Sequence, residues 1–310
     1  MARTTRRTFL TQTAALAATA LAPRARAQDF PAGKYVDMHT HLTHRWGAKA
    51  PLEVTGLLGW MDAHEVAQAI VLPLISPEAW DHAISADYVL EQTKDHRDRL
   101  VPFCSIDPRT IHLEAHQAKI DQLTKYRDAG AKGFGEHKPG VPIDHPGNIA
   151  VFKACAELGL PILFHLDNHR NMDAPGLPGL EKVLREVPDG VFIGHAQGWW
   201  ASISGDVKQD EMEGYPSGPV APGGAMDRLM DAYPNLYGDL SAGSGANAIS
   251  RDKEFGREFM IRRQDRLFFG TDYLAPDQDV PQFALFDKLD LPAEVQTKIF
   301  QDNARQMLHL

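Results

Sequence analysis

The sequence has few cysteines, a deficit of basic residues and no apolar run long enough to cross a membrane. Cys104 and Cys155 are the only cysteines among 310 residues. Both lie in apolar segments, so we expect buried free thiols rather than a disulfide. Lysine and arginine total 32 against 41 acidic residues, a net charge of −9. This balance argues against a nucleic-acid partner or an anionic membrane surface, because either would favour a basic face.

The first 27 residues have the pattern of an export signal. The segment TRRTFL at residues 5–10 is a twin-arginine pattern, and an alanine-rich run at residues 14–22 precedes the small-residue site Ala25-Arg26-Ala27. The apolar run is too short for a stable membrane anchor. We therefore expect residues 1–27 to be a twin-arginine (Tat) signal peptide that engages the Tat export machinery, giving a periplasmic or secreted protein.

Removing this segment sharpens the charge imbalance. It takes away five arginines and no acidic residue, which leaves 27 basic against 41 acidic residues and a net charge of −14. The mature chain is predicted to be one domain, residues 28–310.

Apolar strand-like runs recur along that domain at a nearly constant interval. They begin near eight positions: Val36, Gln68, Leu100, Ala131, Pro161, Val191, Asn235 and Arg266. The successive spacings are 32, 32, 31, 30, 30, 44 and 31 residues, with amphipathic stretches at 111–128, 149–158 and 180–187. Eight strand-helix units predict an α/β fold, the (β/α)8 TIM barrel, with its active site at the carboxyl ends of the strands. A doubly wound sheet is the alternative.

The sixth interval is the long one, and it predicts a loop insertion. It contains Trp199 and Trp200, followed by a run at 205–224 that is rich in glycine, proline and acidic residues. Loops after barrel strands often build specificity, so this segment is a candidate lid or pocket wall, with both tryptophans as candidate substrate contacts. A solvated surface excursion is the alternative.

A His-x-His pair lies in the first predicted strand. Side chains at i and i+2 share a strand face about 6.6 Å apart, a span that one cation can bridge. His39 and His41 therefore have the spacing of half a metal site. A surface or hydrogen-bonded core pair is the alternative for two histidines taken alone.

Three further strands end in metal-ligand residue types. Strand five ends at His165, strand six at His195 and strand eight runs into Asp272. The carboxyl ends of all barrel strands meet at one mouth, so these side chains can reach His39 and His41. The sequence therefore predicts a metal centre there.

With these motifs in place, most of residues 35–310 resembles the amidohydrolase superfamily. The likeness is specifically to the amidohydrolase-related branch that includes aminocarboxymuconate-semialdehyde decarboxylase and related hydrolases. The motifs are DMHTH at 37–41, LFH at 163–165, IGH at 193–195 and FGTD at 269–272, with DNAR at 302–305 on the last helix. The resemblance implies that His39, His41 and His165 are metal ligands and that His195 is a ligand or a base that orients water. It also implies that Asp272 is a ligand that handles a proton.

Strand four decides how many metals the resemblance implies. Its end reads GEHK at 135–138, so Glu136 and Lys138 share one strand face. Glu136 could bridge two metals, as a glutamate does in TatD-like nucleases. Alternatively, Glu136 and Lys138 form a salt bridge at the rim or contact substrate. One or two ions are therefore possible, with His195 a ligand in the binuclear case.

The resemblance implies a metal-dependent enzyme acting on a small molecule. Imidazoles with carboxylate suit zinc best, with iron, manganese or cobalt as alternatives. The expected reaction is hydrolysis of an amide, lactone or ester by metal-activated water, with Asp272 and His195 as catalytic residues. The alternative is decarboxylation of an unsaturated or aromatic acid, in which Arg45 could hold a carboxylate. A non-catalytic periplasmic binding protein is a third hypothesis.

Further polar and aromatic residues lie at predicted strand ends and mouth loops. Asp239 and Ser241 end strand seven as candidate substrate contacts or supports for the ligands, and Asp167 could steer the His165 ring. The aromatic residues suggest a cyclic or aromatic substrate; they are Trp46, Trp199, Trp200, Tyr215 and Tyr273. Relatives on this branch often form dimers, so a homodimer is an expectation from the resemblance.

Overall fold

The computed structural model describes residues 32–79 and 82–310. The predicted signal peptide, residues 1–27, lies outside the described residues. In the described part of the chain, no helix is long and apolar enough to span a membrane.

Eight short strands form the centre of the fold, and each lies where the apolar pattern predicts one. They are β1 (Tyr35–Thr40), β2 (Val66–Val71), β3 (Leu100–Pro102), β4 (Phe134–His137), β5 (Ile162–His165), β6 (Phe192–His195), β7 (Leu236–Asp239) and β8 (Leu267–Phe268). Nearly all their residues are buried, as expected for parallel strands covered on both faces.

The strands pair in chain order and are all parallel. Backbone hydrogen bonds join β1-β2-β3 into one group and β4-β5-β6-β7-β8 into another. A parallel bridge between Cys104 and Phe134 links the two groups, and another between Thr40 and Tyr273 closes the circle. Consecutive order with closure is the TIM-barrel arrangement, so the doubly wound alternative is wrong.

Helices surround the barrel. The described residues contain α1 (Val54–Ala63), α2 (Ala86–Thr93), α3 (His116–Asp128), α4 (Pro146–Glu157), α5 (Pro178–Glu186), α6 (Gln197–Ala201), α7 (Ala225–Ala232), α8 (Ala242–Ser250), α9 (Lys253–Arg262), α10 (Pro281–Lys288), α11 (Ala293–Thr297) and α12 (Asn303–Leu308). The three amphipathic stretches predicted from the sequence correspond to α3, α4 and α5, and these helices begin two to five residues away from the predicted starts. Helices α4 and α5 begin earlier than predicted because proline occupies the first helical position, where its missing N–H costs nothing.

Two apolar clusters fill the molecule. The larger one lies between the strands and the helices. The smaller one joins side chains from strands on opposite sides of the circle, including Val36, Leu163 and Phe268, and Leu308 of α12 packs against it. The lumen is therefore apolar below the strand ends, which leaves polar chemistry to the mouth. Cys104 and Cys155 are both buried and free, as predicted.

The long sixth interval is not simply a surface loop. Trp199 and Trp200 lie on α6 and are buried, at 0% and 1% exposure. The Trp200 indole N–H donates to the backbone oxygen of Asp239 at 2.9 Å. Their predicted role as substrate contacts is therefore wrong, because their side chains pack α6 against the barrel. Tyr215, farther along the insertion, is 56% exposed.

Two helical glycines provide a matched test of the packing around the barrel. A methyl group at Gly256 would collide with the backbone oxygen of Ile249, whereas one at Gly59 would meet nothing within 4 Å. We expect Gly256→Ala to lower the free energy of unfolding by about 1–3 kcal/mol through overpacking. We expect Gly59→Ala to raise it by about 0.5–1 kcal/mol through helix propensity. Urea unfolding of both variants measures the difference, and equal shifts would contradict the close α8–α9 packing.

Candidate metal centre

His39 and His41 turn their Nε2 atoms towards one point. These two atoms are 3.1 Å apart. The opposite nitrogen of each ring is already held: His39 Nδ1 lies 2.6 Å from Asp239 Oδ2, and His41 Nδ1 lies 2.8 Å from the backbone oxygen of Leu72. A ring nitrogen anchored by an oxygen leaves the other nitrogen free to bind a cation, the usual arrangement around metal-binding histidines.

Asp239 anchors two of the histidines from beneath. Its side chain is fully buried, and its Oδ2 atom lies 2.6 Å from His39 Nδ1 and 3.2 Å from His195 Nδ1. The Ser241 hydroxyl donates to the same oxygen at 2.7 Å. The predicted substrate contact by Asp239 is wrong because solvent cannot reach it; its structural role is to orient imidazoles.

Glu136 lies between two groups of histidines. Its Oε2 atom faces His41 Nε2 at 3.5 Å and His39 Nε2 at 3.8 Å. Its Oε1 atom faces His165 Nδ1 at 2.7 Å and His195 Nε2 at 3.6 Å. The side chain is 1% exposed. Each carboxylate oxygen thus serves one side of the centre, which is the geometry expected of a bridging ligand.

His165 and His195 form the second side. The outer nitrogen of His165, Nε2, lies 2.8 Å from Asp167 Oδ2, so Asp167 steers this ring. Arg170 pairs with the same carboxylate at 2.7 Å. His195 Nδ1 lies 2.9 Å from the Ser241 hydroxyl. The structure therefore places His165 with His195 and Glu136, rather than in one cluster with His39 and His41.

Asp272 is the remaining residue of the first side and the one that solvent can reach. Its Oδ1 atom is 3.3 Å from His41 Nε2 and 3.5 Å from His39 Nε2. Its side chain is 21% exposed, in contrast to the buried histidines. The backbone N–H of Asp272 donates to the carbonyl of His39 at 2.8 Å, which ties the end of β8 to β1.

These distances fit a divalent cation. Metal–ligand bonds of about 2.0–2.2 Å at a tetrahedral centre place neighbouring ligand atoms about 3.3–3.6 Å apart. On the first side, the Nε2 atoms of His39 and His41 lie 3.1 Å apart, and each lies 3.3–3.8 Å from the facing oxygens of Glu136 and Asp272. On the second side, Glu136, His165 and His195 offer ligand atoms that all lie within 4.8 Å of one another. A third grouping, His39 and His195 with Asp239, uses nitrogens already engaged in hydrogen bonding and is better described as support.

The charged groups of the centre shift one another's pKa values. Burial lowers the pKa of His39, but the carboxylates of Asp239 and Asp272 outweigh it and raise that pKa well above the ordinary value. Burial raises the pKa of Glu136, yet Lys138 and His165 hold it well below its usual range. Burial and the neighbouring His39 lower the pKa of His195, which keeps this ring neutral. The centre therefore combines ionised carboxylates with imidazoles that a cation could bind.

A cavity of about 450 Å³ adjoins Asp272 at the barrel mouth. Trp46 and Tyr215 line its wall, together with Lys49 and the acidic residues Asp277 and Asp279. A larger hollow of about 630 Å³ lies at the opposite end of the barrel, beside Asp265 and Asn303, and holds none of the residues of the centre. The mouth cavity is therefore the candidate substrate site.

Two other predicted contacts do not reach this cavity. Arg45 is exposed, and its Nε donates to the backbone oxygen of Gly47 at 2.8 Å. Tyr273 is buried and stacks on Trp60, with ring centroids 4.0 Å apart. Neither residue lines this cavity. The mouth position predicted for Tyr273 is therefore wrong, and the substrate contact of Arg45 stays a prediction.

Sequence reasoning missed Asp37 and Arg170. Asp37 is fully buried, accepts hydrogen bonds from the backbone N–H and hydroxyl of Thr271, and accepts another from the backbone N–H of His39. It therefore ties β1 to the segment that carries Asp272. The signal was present, since Asp37 lies two residues before His39 in the DMHTH motif.

Comparison with known proteins identifies the family. The profile of the family described as Amidohydrolase matches residues 36–310. The chain belongs to the amidohydrolase family. The predicted family and TIM-barrel fold are thereby confirmed, and this amidohydrolase carries a candidate divalent-metal centre. None of the curated proteins matches it significantly.

Solved structures share the fold at low sequence identity. An uncharacterized TIM-barrel protein from Bordetella bronchiseptica has a TM-score of 0.60 at 16% identity, covering 83% of each chain. A probable 2-pyrone-4,6-dicarboxylic acid hydrolase from Acinetobacter baumannii has a TM-score of 0.58 at 11% identity, covering 89% of this chain and all of the other. The 2,6-dihydroxybenzoate decarboxylase from Rhizobium has a TM-score of 0.52 at 17% identity, covering 89% and 98%.

Removing the support under His39 tests the centre. We expect Asp239→Asn to weaken metal binding about 10–100-fold, as loss of an outer-shell partner of a ligating histidine does elsewhere. Asp227→Asn is the matched control. Asp227 is a half-buried carboxylate on the outer helix α7, and it pairs with Arg262 and Arg263. Competition against a fluorescent chelator measures both affinities. Equal affinities in the two variants would exclude the anchoring role of Asp239.

The raised pKa of His39 predicts that metal binding releases protons. In the metal-free protein this imidazole gains stability from its proton below its unfolded pKa of about 6.5, and that stability is lost as pH rises through the higher folded value. A cation needs the deprotonated nitrogen, so its affinity should increase with pH, with release of about one proton near neutrality. Titration calorimetry in buffers of different ionisation enthalpy counts the protons. Asp239→Asn should reduce the number, and release independent of that substitution would count against this explanation.

Proposed function

We propose that this protein is a binuclear metal-dependent hydrolase that cleaves an ester, lactone or amide of a small molecule. The observation that carries the proposal is the position of Glu136, whose two oxygens face separate pairs of histidines. His39, His41 and Asp272 would hold one ion, His165 and His195 the other, with Glu136 shared. Every one of these histidines has its second nitrogen within 2.6–2.9 Å of an oxygen atom that orients it.

Zinc is the proposed metal because the set is rich in imidazole nitrogen. Manganese is the main competitor, since a decarboxylase of similar fold from Novosphingobium aromaticivorans, with a TM-score of 0.51, was crystallised with manganese. Bound ions would polarise a scissile carbonyl and lower the pKa of water in the centre.

Asp272 is the proposed proton carrier. It is the most exposed residue of the centre and borders the mouth cavity, so both water and substrate can reach its carboxylate. Burial would raise its pKa, but His39 and His41 lower it, which keeps the carboxylate ionised. In the proposed reaction this carboxylate accepts a proton from the attacking water. The same group can then donate that proton to the leaving alkoxide or amine.

His195 is proposed as a ligand rather than as a general base. Its Nε2 atom faces Glu136, while its Nδ1 atom is occupied by Ser241. Its lowered pKa keeps the ring neutral, as a metal ligand requires. Tyr215 and Trp46 would form the aromatic walls against a cyclic or aromatic substrate.

Decarboxylation of an aromatic acid is the competing function. The fold relatives include decarboxylases of 2,6-dihydroxybenzoate and 5-carboxyvanillate as well as a probable 2-pyrone-4,6-dicarboxylic acid hydrolase. Each oxygen of Glu136 faces its own group of candidate metal ligands, and this binuclear arrangement favours hydrolysis over decarboxylation. A panel of lactones, esters, amides and aromatic acids, scored for both hydrolysis and carbon dioxide release, separates the two reactions.

We also propose export through the Tat machinery, since the sequence pattern at residues 1–27 supports it and that route accepts folded proteins. Dimerisation and a small-molecule partner are proposed from the family resemblance, and the acidic charge of the chain argues against a nucleic-acid partner.

Two substitutions test the reaction and the metal count. We expect Glu136→Gln to lower the metal content of the purified protein from two ions to at most one, because an amide cannot supply two anionic contacts. We expect Asp272→Asn to reduce kcat at least about 100-fold, the scale of a lost proton-transfer group. Elemental analysis and hydrolysis rates measure the two effects. Two ions retained in Glu136→Gln would contradict the bridging role, and full turnover in metal-loaded Asp272→Asn would contradict the proton role.

A further inference from the structure

A network of three buried polar side chains lies behind the ends of β4 and β5. His137, Asn148 and Asn171 are only 1%, 0% and 0% exposed. His137 Nε2 lies 2.8 Å from Asn148 Oδ1, and Asn148 Nδ2 donates to Asn171 Oδ1 at 2.9 Å. None of the three lines the mouth cavity, and the proposed reaction uses none of them. Burial of so many polar groups is costly unless each one has a partner.

Asn171 is the member of this network that connects the two strands. Its side-chain nitrogen donates to the backbone oxygen of His137 at 2.6 Å and to that of His165 at 2.9 Å. The first oxygen belongs to the residue directly after Glu136, and the second belongs to a proposed metal ligand. One amide group therefore holds together the strand ends that carry Glu136 and His165.

The backbone pairing of β4 with β5 is irregular at this point. Phe134 pairs with Ile162 and His137 pairs with Phe164, so three steps along β4 match two steps along β5. An extra residue in one strand interrupts the backbone ladder and bends the strand. The oxygens that Asn171 binds lie at the end of this irregular stretch. The side chain thus supplies contacts between the strands where the ladder is interrupted.

The loops around Asn171 are arranged to present its amide group. Asn171 has a φ angle of 45°, in the left-handed region that asparagine adopts more readily than most residues. Its backbone N–H donates to the carbonyl of Pro139 in the loop after β4, at 2.9 Å. Asn148 of α4 donates to the carbonyl of Pro142 in the same loop, at 3.0 Å. The loops after β4 and β5 and helix α4 therefore meet at this network.

Glu136 is fixed separately through its other oxygen. Lys138 is 7% exposed, and its Nζ donates to Glu136 Oε2 at 2.9 Å, the salt bridge that the sequence allowed for this pair. His165 Nδ1 faces the opposite oxygen, Oε1, at 2.7 Å. Asp167 orients the His165 ring, but the backbone that carries this ring is held by Asn171. The separation of Glu136 and His165 therefore depends on how the ends of β4 and β5 are joined.

We infer that Asn171 is a positioning residue for the ion of the second side, because it sets the separation of Glu136 and His165. This inference rests on the proposed binuclear centre. The ion of the first side should be insensitive to Asn171, since His39 and His41 are oriented by contacts from the ends of β7 and β2.

Metal titration of an Asn171 variant tests this role without relying on turnover. Asn171→Gly removes the amide group and tolerates the positive φ angle. We expect it to weaken binding of the second ion about 10–100-fold, the range for lost outer contacts of ligating histidines, and to change that of the first less than about threefold. Zinc competition against fluorescent chelators gives both dissociation constants. His195→Ala identifies which constant belongs to the second side.

Asn171→Ser is a milder variant that retains a hydroxyl donor. The hydroxyl can still serve one of the two backbone oxygens, so its effect on the second ion should lie between those of the wild type and Asn171→Gly. If Asn171→Gly does not fold, the same criteria apply to Asn171→Ser.

Asn303→Gly is the matched control. The side-chain nitrogen of Asn303 also donates to two backbone oxygens, those of Gln264 and Leu267, at 2.7 and 2.8 Å. It does so at the opposite end of the barrel, so this variant loses equivalent hydrogen bonds without disturbing the mouth. It should retain both metal affinities, and urea unfolding compares its stability with that of Asn171→Gly.

Three results would overturn the inference. These are an unchanged affinity for the second ion in Asn171→Gly, an equal loss of affinity for both ions in that variant, or a matching loss of the second ion in Asn303→Gly. Failure of the proposed function looks different. Two ions with an Asn171-dependent affinity but no hydrolysis would contradict the hydrolase alone, whereas a wild-type protein that takes up a single ion would contradict both proposals.

Discussion

The site depends on one buried carboxylate, that of Glu136, which lies between two pairs of imidazoles. Glu136 presents Oε2 to His39 and His41 and Oε1 to His165 and His195. A buried anion among four imidazoles attracts any proton or cation that the rings can share. A single side chain from β4 thus fixes the electrostatic centre of a mouth built from β1, β5, β6 and β8.

Outside that contact, a second layer of oxygens determines which nitrogen of each ring faces inward. Asp239 and Ser241 do this from the end of β7, Asp167 from the end of β5, and the Leu72 carbonyl from the end of β2. These groups are buried and rigidly hydrogen-bonded, so the ring orientations exist before any ligand arrives. Preorganisation of this kind lowers the cost of assembling a metal site.

Much of this could be predicted from the sequence, for a physical reason. A barrel repeats one unit, so the apolar period located all eight strands. The His-x-His spacing located His39 and His41, and strand ends located His165, His195 and Asp272. Side-chain detail was harder. Trp199 and Trp200 look like mouth residues by position, yet the short helix α6 turns both rings into the core. Asp239 looked accessible because sequence spacing does not reveal what covers a carboxylate. The division of the ligands into two groups depends on ring orientation, which no spacing encodes.

Closure of the barrel also sets when the site can exist during synthesis. His39 and Asp272 are 233 residues apart in the chain, and the backbone of one is hydrogen-bonded to the backbone of the other at 2.8 Å. A nascent chain on the ribosome has its His-x-His strand early but lacks Asp272 and the strand that closes the circle until nearly the last residues are added. Partial chains can therefore offer a cation only an incomplete set of ligands. The complete metal site can therefore form only after the barrel has closed.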